Sequence, residues 1–433
     1  MSAVSDLGAL VRERSIIVCC GSGGAGKTTT SAAVALCGAL AGRKACVVTI
    51  DPARRLADAL GIGELSNEPK RIEGPWPGEL WAVMLDAKGT FDDLVVRYSA
   101  DPEQADRILA NRLYRNLTSA LSGTQEYMAA EKLYELHASD RFDLVVVDTP
   151  PTRNALDFLD APGRLTRFLE NRVFRLLLMP TRASLKALTV ATQALLRTIS
   201  KVAGSEIVED AVAFFRAFEG MEDGFRERAQ RVEELLADPG TAFLLVAAPR
   251  RDSVDEAGYF ADRLAEAHQP VAALVMNRLH PDFGRDGGVT ALGPAAVVGV
   301  DGPAAVVGVD GPAAGDGVDG PAVGAGVDGP AAGAGVDGPA AGGVAPLDTA
   351  SAPPAGAPVI DPAAAQAALA GMRRNLADLI SVATYERGYL QRLESKIDGA
   401  VVKVPFLSKD VHDLDGLAAV AECLTGQVLS PRA

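Results

Sequence analysis

The chain has 433 residues, 48% of them hydrophobic, and a formal net charge of −14 at pH 7. This length favours one large domain with insertions or two smaller domains. The acidic excess argues against a main role in nucleic-acid binding and against permanent attachment to an anionic membrane surface.

Strand-like and helix-like runs alternate from residue 15 to residue 279, which is the pattern of a parallel α/β sheet. The strand-like runs are short, apolar and rich in β-branched residues, as in strands that helices cover on both faces. The six predicted strands are 16–20, 45–50, 80–85, 144–147, 242–247 and 271–276. We therefore expect the α/β class, with a mostly parallel, doubly wound sheet flanked by helices.

The first predicted strand leads into Gly-Ser-Gly-Gly-Ala-Gly-Lys-Thr at 21–28, and an Ala/Leu-rich helical run follows. This order of strand, loop and helix fits the Walker A pattern G-x-x-x-x-G-K-[ST]. The glycines let successive backbone N–H groups point at a phosphate chain, and the helix N-terminus adds its dipole. Lys27 would reach the β- and γ-phosphates, and the hydroxyl of Thr28 would bind Mg²⁺. The pattern predicts a P-loop NTPase.

Two further predicted strands are each followed by an Asp, with a Pro one or two residues beyond it. Asp51 begins Asp-Pro-Ala-Arg-Arg-Leu-Ala-Asp after the second strand, and Asp148 begins Asp-Thr-Pro-Pro-Thr after the fourth. Ligands gather at the carboxyl ends of parallel strands. A carboxylate there can bind Mg²⁺ through water or orient an attacking water, so both residues are candidate site residues.

A long helical region is predicted at about 164–236. In its second half, apolar side chains fall largely on one helical face, with Phe214 beside them: Ile207, Val208, Ala211, Val212, Phe215, Phe218 and Met221. One interpretation is core packing. The other is a surface for an apolar client, which the run Phe-Arg-Leu-Leu-Leu-Met-Pro at 174–180 favours.

The segment 282–360 differs in composition from the rest. Val-Asp-Gly-Pro recurs every nine residues, and no aromatic residue lies between Phe283 and Tyr385. Such a segment buries too little surface to offset its backbone entropy. The Pro after each Asp-Gly argues against a calcium-binding β-roll, and the lack of a glycine at every third position argues against collagen. We interpret the segment as a disordered, low-complexity linker. Beyond it we expect a helix at 361–396, a strand at 400–404 and a helix at 414–424.

Taken together, these motifs resemble those of the ArsA and guided-entry-of-tail-anchored-protein (GET) ATPases, a group related to MinD and ParA. That family has a deviant Walker A loop G-K-G-G-V-G-K-T, then D-P-A-H-x-L-x-D, D-T-A-P-T-G-H, a strand ending in Asn, and a last element near the adenine. The corresponding stretches here are 21–28, 51–58, 148–154, 275–278 and 404–407. The resemblance covers 14–280 and about 361–425.

The resemblance implies a role for each matching position. Lys27 and the loop backbone would hold the phosphates, and Thr29 would contact the α-phosphate. Thr28, Asp51 and Asp148 would form the Mg²⁺ and water side of the site, with Asp51 positioning the attacking water. The residues implied in ATP binding are Gly21, Ser22, Gly23, Gly24, Ala25, Gly26, Lys27, Thr28 and Thr29 at the phosphates, and Asn277, Pro405 and Phe406 at the adenine. Asn277 on its own could equally be a turn residue at a strand end.

The resemblance also implies a domain plan. Residues 1–281 would form the ATPase core with its helical subdomain at about 164–236, residues 282–360 the linker, and residues 361–433 the part that completes the core.

The chain departs from the family at the second residue of the loop. The family has a signature lysine there, which reaches the phosphates of a dimer partner, whereas this chain has Ser22. Catalysis would then be slow, or Arg54, Arg55 or Arg153 would supply the charge, or a related lysine-bearing ATPase would form a heterodimer with this chain.

The cysteines argue against two family properties. They are Cys19, Cys20, Cys37, Cys46 and Cys423, so the Cys-x-x-Cys zinc clasp of GET dimers is missing and no zinc is expected. Arsenite needs a cluster of thiolates, which this spacing does not provide. Four of the cysteines fall in predicted core elements, no signal peptide is recognisable, and no apolar run is long enough to span a membrane. We expect a cytoplasmic protein without disulfides.

With one Walker loop, the chain should pair with another chain. The preferred function is a Mg-dependent, ATP-hydrolysing dimeric switch that binds a hydrophobic client or a membrane pump partner. The alternatives are a weakly catalytic or non-catalytic nucleotide-binding subunit of a heterodimer, the ATPase of an ion pump, and, against the acidic charge, a ParA-like role on DNA.

Overall fold

The computed structural model describes residues 6–51, 54–112, 114–115, 124–149, 157–170, 210, 213–214, 217–218, 220–281, 283, 361–407 and 410–426. The nonapeptide repeats, Arg153 and most of the predicted helical region therefore lie outside the described residues.

Eight strands and eleven helices have defined bounds in the described part of the chain. The strands are β1 (Ile16–Gly21), β2 (Lys44–Thr49), β3 (Lys70–Ile72), β4 (Glu79–Met84), β5 (Leu144–Asp148), β6 (Thr241–Ala247), β7 (Val271–Leu279) and β8 (Ala400–Pro405). The helices are α1 (Leu7–Glu13), α2 (Lys27–Leu40), α3 (Arg55–Ala59), α4 (Ala87–Tyr98), α5 (Pro102–Leu109), α6 (Thr124–Ala138), α7 (Asp157–Glu170), α8 (Glu222–Ala237), α9 (Arg251–Glu266), α10 (Pro362–Glu394) and α11 (Leu414–Thr425).

The strands form one sheet in the order β3-β4-β2-β5-β1-β6-β7-β8. All neighbouring strands are parallel except β3, which pairs antiparallel with β4. The predicted α/β class and its mostly parallel sheet are confirmed. The sequence analysis missed β3, because its three residues Lys-Arg-Ile carry no apolar run.

Helices cover both faces of the sheet, as the apolar strands predict. Successive residues of β1 point to opposite sides, so Ile16 and Val18 join one buried cluster and Ile17 and Cys19 join the other. The first cluster includes residues of α4, α6, α8 and α9, and the second includes residues of α1, α2 and α11. With both faces buried, the edge formed by the carboxyl ends of the strands remains open to a ligand.

Aspartate side chains cap the N-termini of several helices, α4, α5 and α11 among them. Asp86, Asp101 and Asp413 each accept a hydrogen bond from a backbone N–H in the first turn of α4, α5 and α11. Each satisfies a donor that would otherwise lack a partner at the helix start. The helix α2, which follows the loop at 21–26, has no side-chain cap.

The apolar stripe of the predicted helical region is described only in part. Phe214, Phe218 and Met221 are buried and contribute to the core cluster, where Phe218 stacks against Phe214 and contacts Phe225. These three residues therefore pack in the core, which is the first of the two interpretations. The rest of the stripe, from Ile207 to Phe215, lies outside the described residues.

The chain divides into two compact units. One comprises Met1–Gly288 and Leu376–Ala433, and the other comprises Val289–Asn375. The first unit contains the whole sheet, and α10 begins in the second unit and ends in the first. Throughout the described ranges, none of the helices combines the length and the apolar character that crossing a bilayer requires.

Candidate functional site

The strand order brings the predicted site residues to one edge of the sheet. β1 lies between β5 and β6, and β5 lies between β1 and β2. Thr49 at the end of β2 is paired in register with Asp148, the last residue of β5. The carboxyl ends of β1, β2 and β5 therefore place the phosphate-binding loop, Asp51 and Asp148 together, as predicted from sequence.

The loop after β1 has the backbone geometry of an anion site. Gly21 leaves β1 so close to β6 that a Cβ atom there would lie 2.0 Å from the carbonyl oxygen of Val246. Gly26 is the N-cap of α2, and no side chain caps the helix. The first N–H groups of α2 are thus left without a capping side chain, which suits them to bind an anion.

Lys27 is buried at the start of α2, and its ammonium turns back onto the loop. Its Nζ donates hydrogen bonds to the carbonyl oxygens of Gly21 at 2.8 Å and Ser22 at 2.9 Å. Burial lowers the pKa of Lys27, and the nearby carboxylate of Asp148 opposes that shift. The loop thus holds one cation in place by its own carbonyl groups.

Asp148 is the most deeply buried carboxylate of the site, with 1% of its surface exposed. Its Oδ2 accepts hydrogen bonds from Thr28 Oγ1 at 2.8 Å and from Thr49 Oγ1 at 2.9 Å. Burial raises the pKa of Asp148 to about 6, although both hydrogen bonds and the charge of Lys27 oppose that shift. Its other oxygen, Oδ1, is buried and has no hydrogen-bond partner within the described part of the chain.

That unpartnered oxygen is the observation that tests the site for Mg²⁺. A buried polar atom without a partner is costly, and a hard cation or its bound water would supply the missing interaction. Thr28 adds a hydroxyl beside it, and Asp51 adds a second carboxylate. The donor set consists of oxygen atoms, which Mg²⁺ prefers, so these residues fit the metal.

Asp51 follows β2 and is 15% exposed at its side chain. Its backbone N–H donates to Thr49 Oγ1 at 3.2 Å, and its carboxylate lies 3.5 Å from the guanidinium of Arg55. Thr49 therefore orients both Asp51 and Asp148. The sequence analysis did not single out Thr49, although its place two residues before Asp51 at a strand end was visible.

A cavity of about 410 Å³ opens above these residues. Lys27, Thr28, Thr29 and Asp51 line it, as do Gly24, Gly26, Arg55, Asp58 and Arg278. Of the predicted phosphate and metal residues, the structure thus brings six around one space that could accommodate a nucleotide's phosphate chain: Gly24, Gly26, Lys27, Thr28, Thr29 and Asp51.

Asn277 lies on β7, at a point where the pairing with β8 changes register. Its Nδ2 donates to the carbonyl oxygen of Ala25 at 2.9 Å, so it contacts the phosphate-binding loop directly. Gly26 has φ +90°, and a Cβ atom there would lie 2.2 Å from that same Nδ2. The next residue, Arg278, has φ +63° and lines the cavity, so the irregular end of β7 turns towards the site.

Pro405 and Phe406 follow at the end of β8. The ring of Phe406 stacks on His280 with centroids 5.6 Å apart and an interplanar angle of 8°, and Phe406 is 58% exposed. Glu386 of α10 holds His280, accepting from its backbone N–H and contacting Nδ1, both at 2.7 Å. Sequence reasoning missed His280 and Glu386, because 106 residues separate them along the chain.

Ser22 points into the protein and away from the cavity. It is 3% exposed, and its Oγ lies 2.5 Å from Oγ of Ser253, which also accepts from the N–H of Ala248 at 2.9 Å. Two of the arginines considered for charge compensation have acidic partners: Arg54 pairs with Glu64 at 2.6 Å and Arg55 with Asp51. Arg153 lies outside the described residues.

Comparisons with known proteins identify a family that this chain matches. The family model described as anion-transporting ATPase matches residues 14–289. The ATPase get3 of Aspergillus terreus is 31% identical over 152 residues, which are 34% of this chain and 43% of that protein. An uncharacterized protein of Streptomyces coelicolor is 31% identical over 263 residues, 60% of this chain and 62% of its own. The ATPase ASNA1 homolog of Cryptosporidium parvum is 27% identical over 260 residues, 60% of this chain and 63% of its own.

The chain thus spans between 43% and 63% of the length of these relatives. The family model covers more than half of the chain, including the loop at 21–28, the segments that begin at Asp51 and Asp148, and Asn277. By this match, the chain belongs to the anion-transporting ATPase (ArsA) family.

Proposed function

We propose that the chain binds Mg-ATP and hydrolyses it. The observation that carries the proposal is the buried, unpartnered Oδ1 of Asp148, which lies beside Thr28 at the start of an uncapped helix. A carboxylate oxygen, a hydroxyl and open N–H groups at one point suit a metal bound to a phosphate chain.

In this proposal each residue has a distinct task. The N–H groups of the loop and of α2 bind the phosphates, and Lys27 shares its ammonium between its own loop carbonyls and the β- and γ-phosphates. Thr28 and Asp148 hold Mg²⁺, directly or through water, while Asp51 orients the attacking water. When bound, Mg²⁺ neutralises charge on the phosphates. Asn277 reads the adenine edge, and Pro405 and Phe406 lie beside the ring.

The second part of the proposal concerns partners. We propose a dimer that couples its nucleotide state to a hydrophobic client or a membrane pump partner, in the cytoplasm. Family membership and the relatives named GET3 and ASNA1 support it. The apolar run at 174–180 supplies side chains that a client would require. Cys19, Cys20, Cys37 and Cys46 are buried and none of them forms a disulfide, as in proteins of a reducing compartment.

A second function is favoured by Ser22. Its side chain is held by Ser253 and carries no charge, so it gives no help to a phosphoryl transfer in a partner subunit. On this alternative the chain is a weakly catalytic or non-catalytic nucleotide-binding subunit of a heterodimer whose other member has the lysine.

Steady-state ATPase and ATP-binding measurements separate the two. The wild-type chain, Asp51→Asn and the matched surface variant Asp106→Asn would be compared with and without Mg²⁺. Hydrolysis by this chain is supported if Asp51→Asn abolishes turnover but still binds ATP, and if Asp106→Asn behaves like the wild type. Wild-type binding without turnover supports the partner-subunit alternative, and failure to bind ATP overturns both.

Sedimentation of Asp51→Asn tests the dimer. With Mg-ATP we expect the sedimentation coefficient to rise from the monomer to the dimer value, and with ADP we expect it to fall back. A chain that binds Mg-ATP and remains monomeric would exclude the homodimer.

A further inference from the structure

Transfer of a phosphoryl group spreads negative charge over the oxygens of the γ-phosphate, and positive groups aimed at them supply much of the catalysis. Lys27 is one such group. An arginine that no motif predicted also lies beside the phosphate-binding loop.

That residue is Arg250. It lies in the turn between β6 and α9, at the carboxyl end of a strand adjacent to β1. Its guanidinium Nη2 lies 3.7 Å from the position that a Cβ atom on Gly24 would take. Gly24 lines the cavity above the loop, so the guanidinium group of Arg250 lies beside a residue of the cavity wall.

The turn that carries Arg250 is fixed by the loop itself. The N–H of Arg250 donates to the carbonyl oxygen of Ala248 at 2.8 Å, and the N–H of Ala248 donates to Ser253 Oγ at 2.9 Å. Ser253 in turn contacts Ser22 of the phosphate-binding loop. The uncharged hydroxyl of Ser22 thus helps to hold the backbone that positions a charged side chain beside the same loop.

Arg250 also has little to give up on binding an anion. Its nearest ion-pair contact is Asp252, at 3.7 Å, and the side chains of Arg250 and Asp252 are 55% and 78% exposed. An exposed pair at that distance contributes little stability. A guanidinium can instead bind a phosphate through two N–H donors.

We propose that Arg250 binds the phosphate chain of ATP in its own subunit and stabilises the charge that develops during transfer. This rests on the proposed ATPase function. In the step, the bond between the γ-phosphorus and the β–γ bridging oxygen breaks, and a bond from the water oxygen to that phosphorus forms. ADP leaves with the bonding pair, and the water loses its proton to the solvent. Arg250 donates hydrogen bonds throughout and transfers no proton.

The test compares Arg250→Ala, Arg250→Lys and the matched neighbour Arg251→Ala, whose guanidinium pairs with Asp255 on the surface of α9. We expect Arg250→Ala to lower kcat about 100-fold and Arg250→Lys to recover part of it. Calorimetric titration of each variant with Mg-ATP and with AMP gives the second measurement. Arg250→Ala should weaken ATP about tenfold and leave AMP unchanged, and Arg251→Ala should change nothing by more than twofold.

Three results overturn the proposal: wild-type kcat and ATP affinity in Arg250→Ala, equal losses for ATP and AMP, or an equal effect of Arg251→Ala. Thermal unfolding of each variant shows whether a loss arises from misfolding, and Arg250→Lys then serves as the conservative replacement. If the wild type binds ATP and does not turn it over, hydrolysis by this chain fails. The difference between ATP and AMP affinities still decides whether Arg250 binds phosphate.

Discussion

Thr28 Oγ1 donates a hydrogen bond to Asp148 Oδ2 at 2.8 Å and thereby links the first turn of α2 to the end of β5. These residues are 120 positions apart in the chain. The other oxygen of this carboxylate, Oδ1, is buried and has no hydrogen-bond partner among the residues that the structure describes. The site therefore centres on a carboxylate whose second oxygen is available to a bound metal ion or water.

The first prediction concerns that oxygen. If Asp148 helps to hold Mg²⁺, then Mg²⁺ should raise the ATP affinity of Asp148→Asn by a factor about 10- to 100-fold smaller than in the wild type. Metal-free ATP binding should change little. Fluorescence titration with and without Mg²⁺ measures this, with Asp106→Asn as the control. Equal Mg²⁺ dependence in wild type and variant would rule out the assignment.

The second prediction is a pH effect on stability. Because burial raises the pKa of Asp148 from 3.8 to about 6, the folded protein keeps this proton where the unfolded chain has lost it. The contribution of Asp148 to the free energy of unfolding should then fall by ~3 kcal/mol as pH rises from about 4 to about 6, and stay constant above. Urea unfolding of the wild type and of Asp148→Asn measures the difference between their free energies of unfolding. As pH rises over that range, the wild type should lose stability relative to the variant. A difference independent of pH would contradict the burial of the charge.

The third prediction concerns the serine pair. Ser22→Ala removes one partner of Ser253, whereas Ser253→Ala also leaves the N–H of Ala248 without its acceptor. We expect Ser253→Ala to cost about 2 kcal/mol in free energy of unfolding and Ser22→Ala about 1. Thermal and urea unfolding provide the values, and the double variant should cost less than the sum. Ser22→Lys should be worse than Ser22→Ala, because it places an ammonium in a site that is 3% exposed.

The fourth prediction addresses base recognition. Since Asn277 donates its Nδ2 to Ala25, its Oδ1 is the atom that would accept from an adenine amino group. Asn277→Ala should lower the preference for ATP over GTP about tenfold. Competition between the two nucleotides measures it, with Asn67→Ala as a control variant, because the amide of Asn67 contacts Thr90 and Asp86 instead of the loop. An unchanged ratio would make Asn277 a support of the loop and nothing more.

Sequence patterns predicted the strands and the sheet edge well, for a physical reason. Buried parallel strands require continuous apolar runs, and residues that follow such runs must meet at one edge, so Asp51, Asp148 and the loop at 21–28 could be brought together from sequence. Asp148 proved to be the last residue of β5 instead of the residue after it, which changes nothing in its chemistry.

Contacts across the sheet could not be predicted in this way. The Ser22–Ser253 pair spans 231 residues, and whether a serine points into the cavity or into the core depends on the twist of a loop. Arg250 likewise has no local signal, because an exposed arginine at a helix start is ordinary. Its relation to Gly24 exists only once β6 lies beside β1.

The fifth prediction concerns the repeats. Deleting residues 290–355 should leave folding and ATP binding unchanged, because β7 and β8 belong to the same compact unit and pair directly. Circular dichroism and calorimetric titration of the deletion variant test this. Loss of either property would contradict the interpretation of the segment as a linker.

The position of β8 has a consequence for synthesis. β7 is complete at Leu279, yet the strand that covers its outer side begins only at Ala400. A ribosome adding roughly 5–20 residues per second needs on the order of ten seconds to make the stretch between them. For that time the nascent chain exposes an apolar edge strand able to pair with another nascent chain. The repeats between the two strands are rich in Pro and Gly, which are residues that sheets disfavour, and they are poor in aromatics.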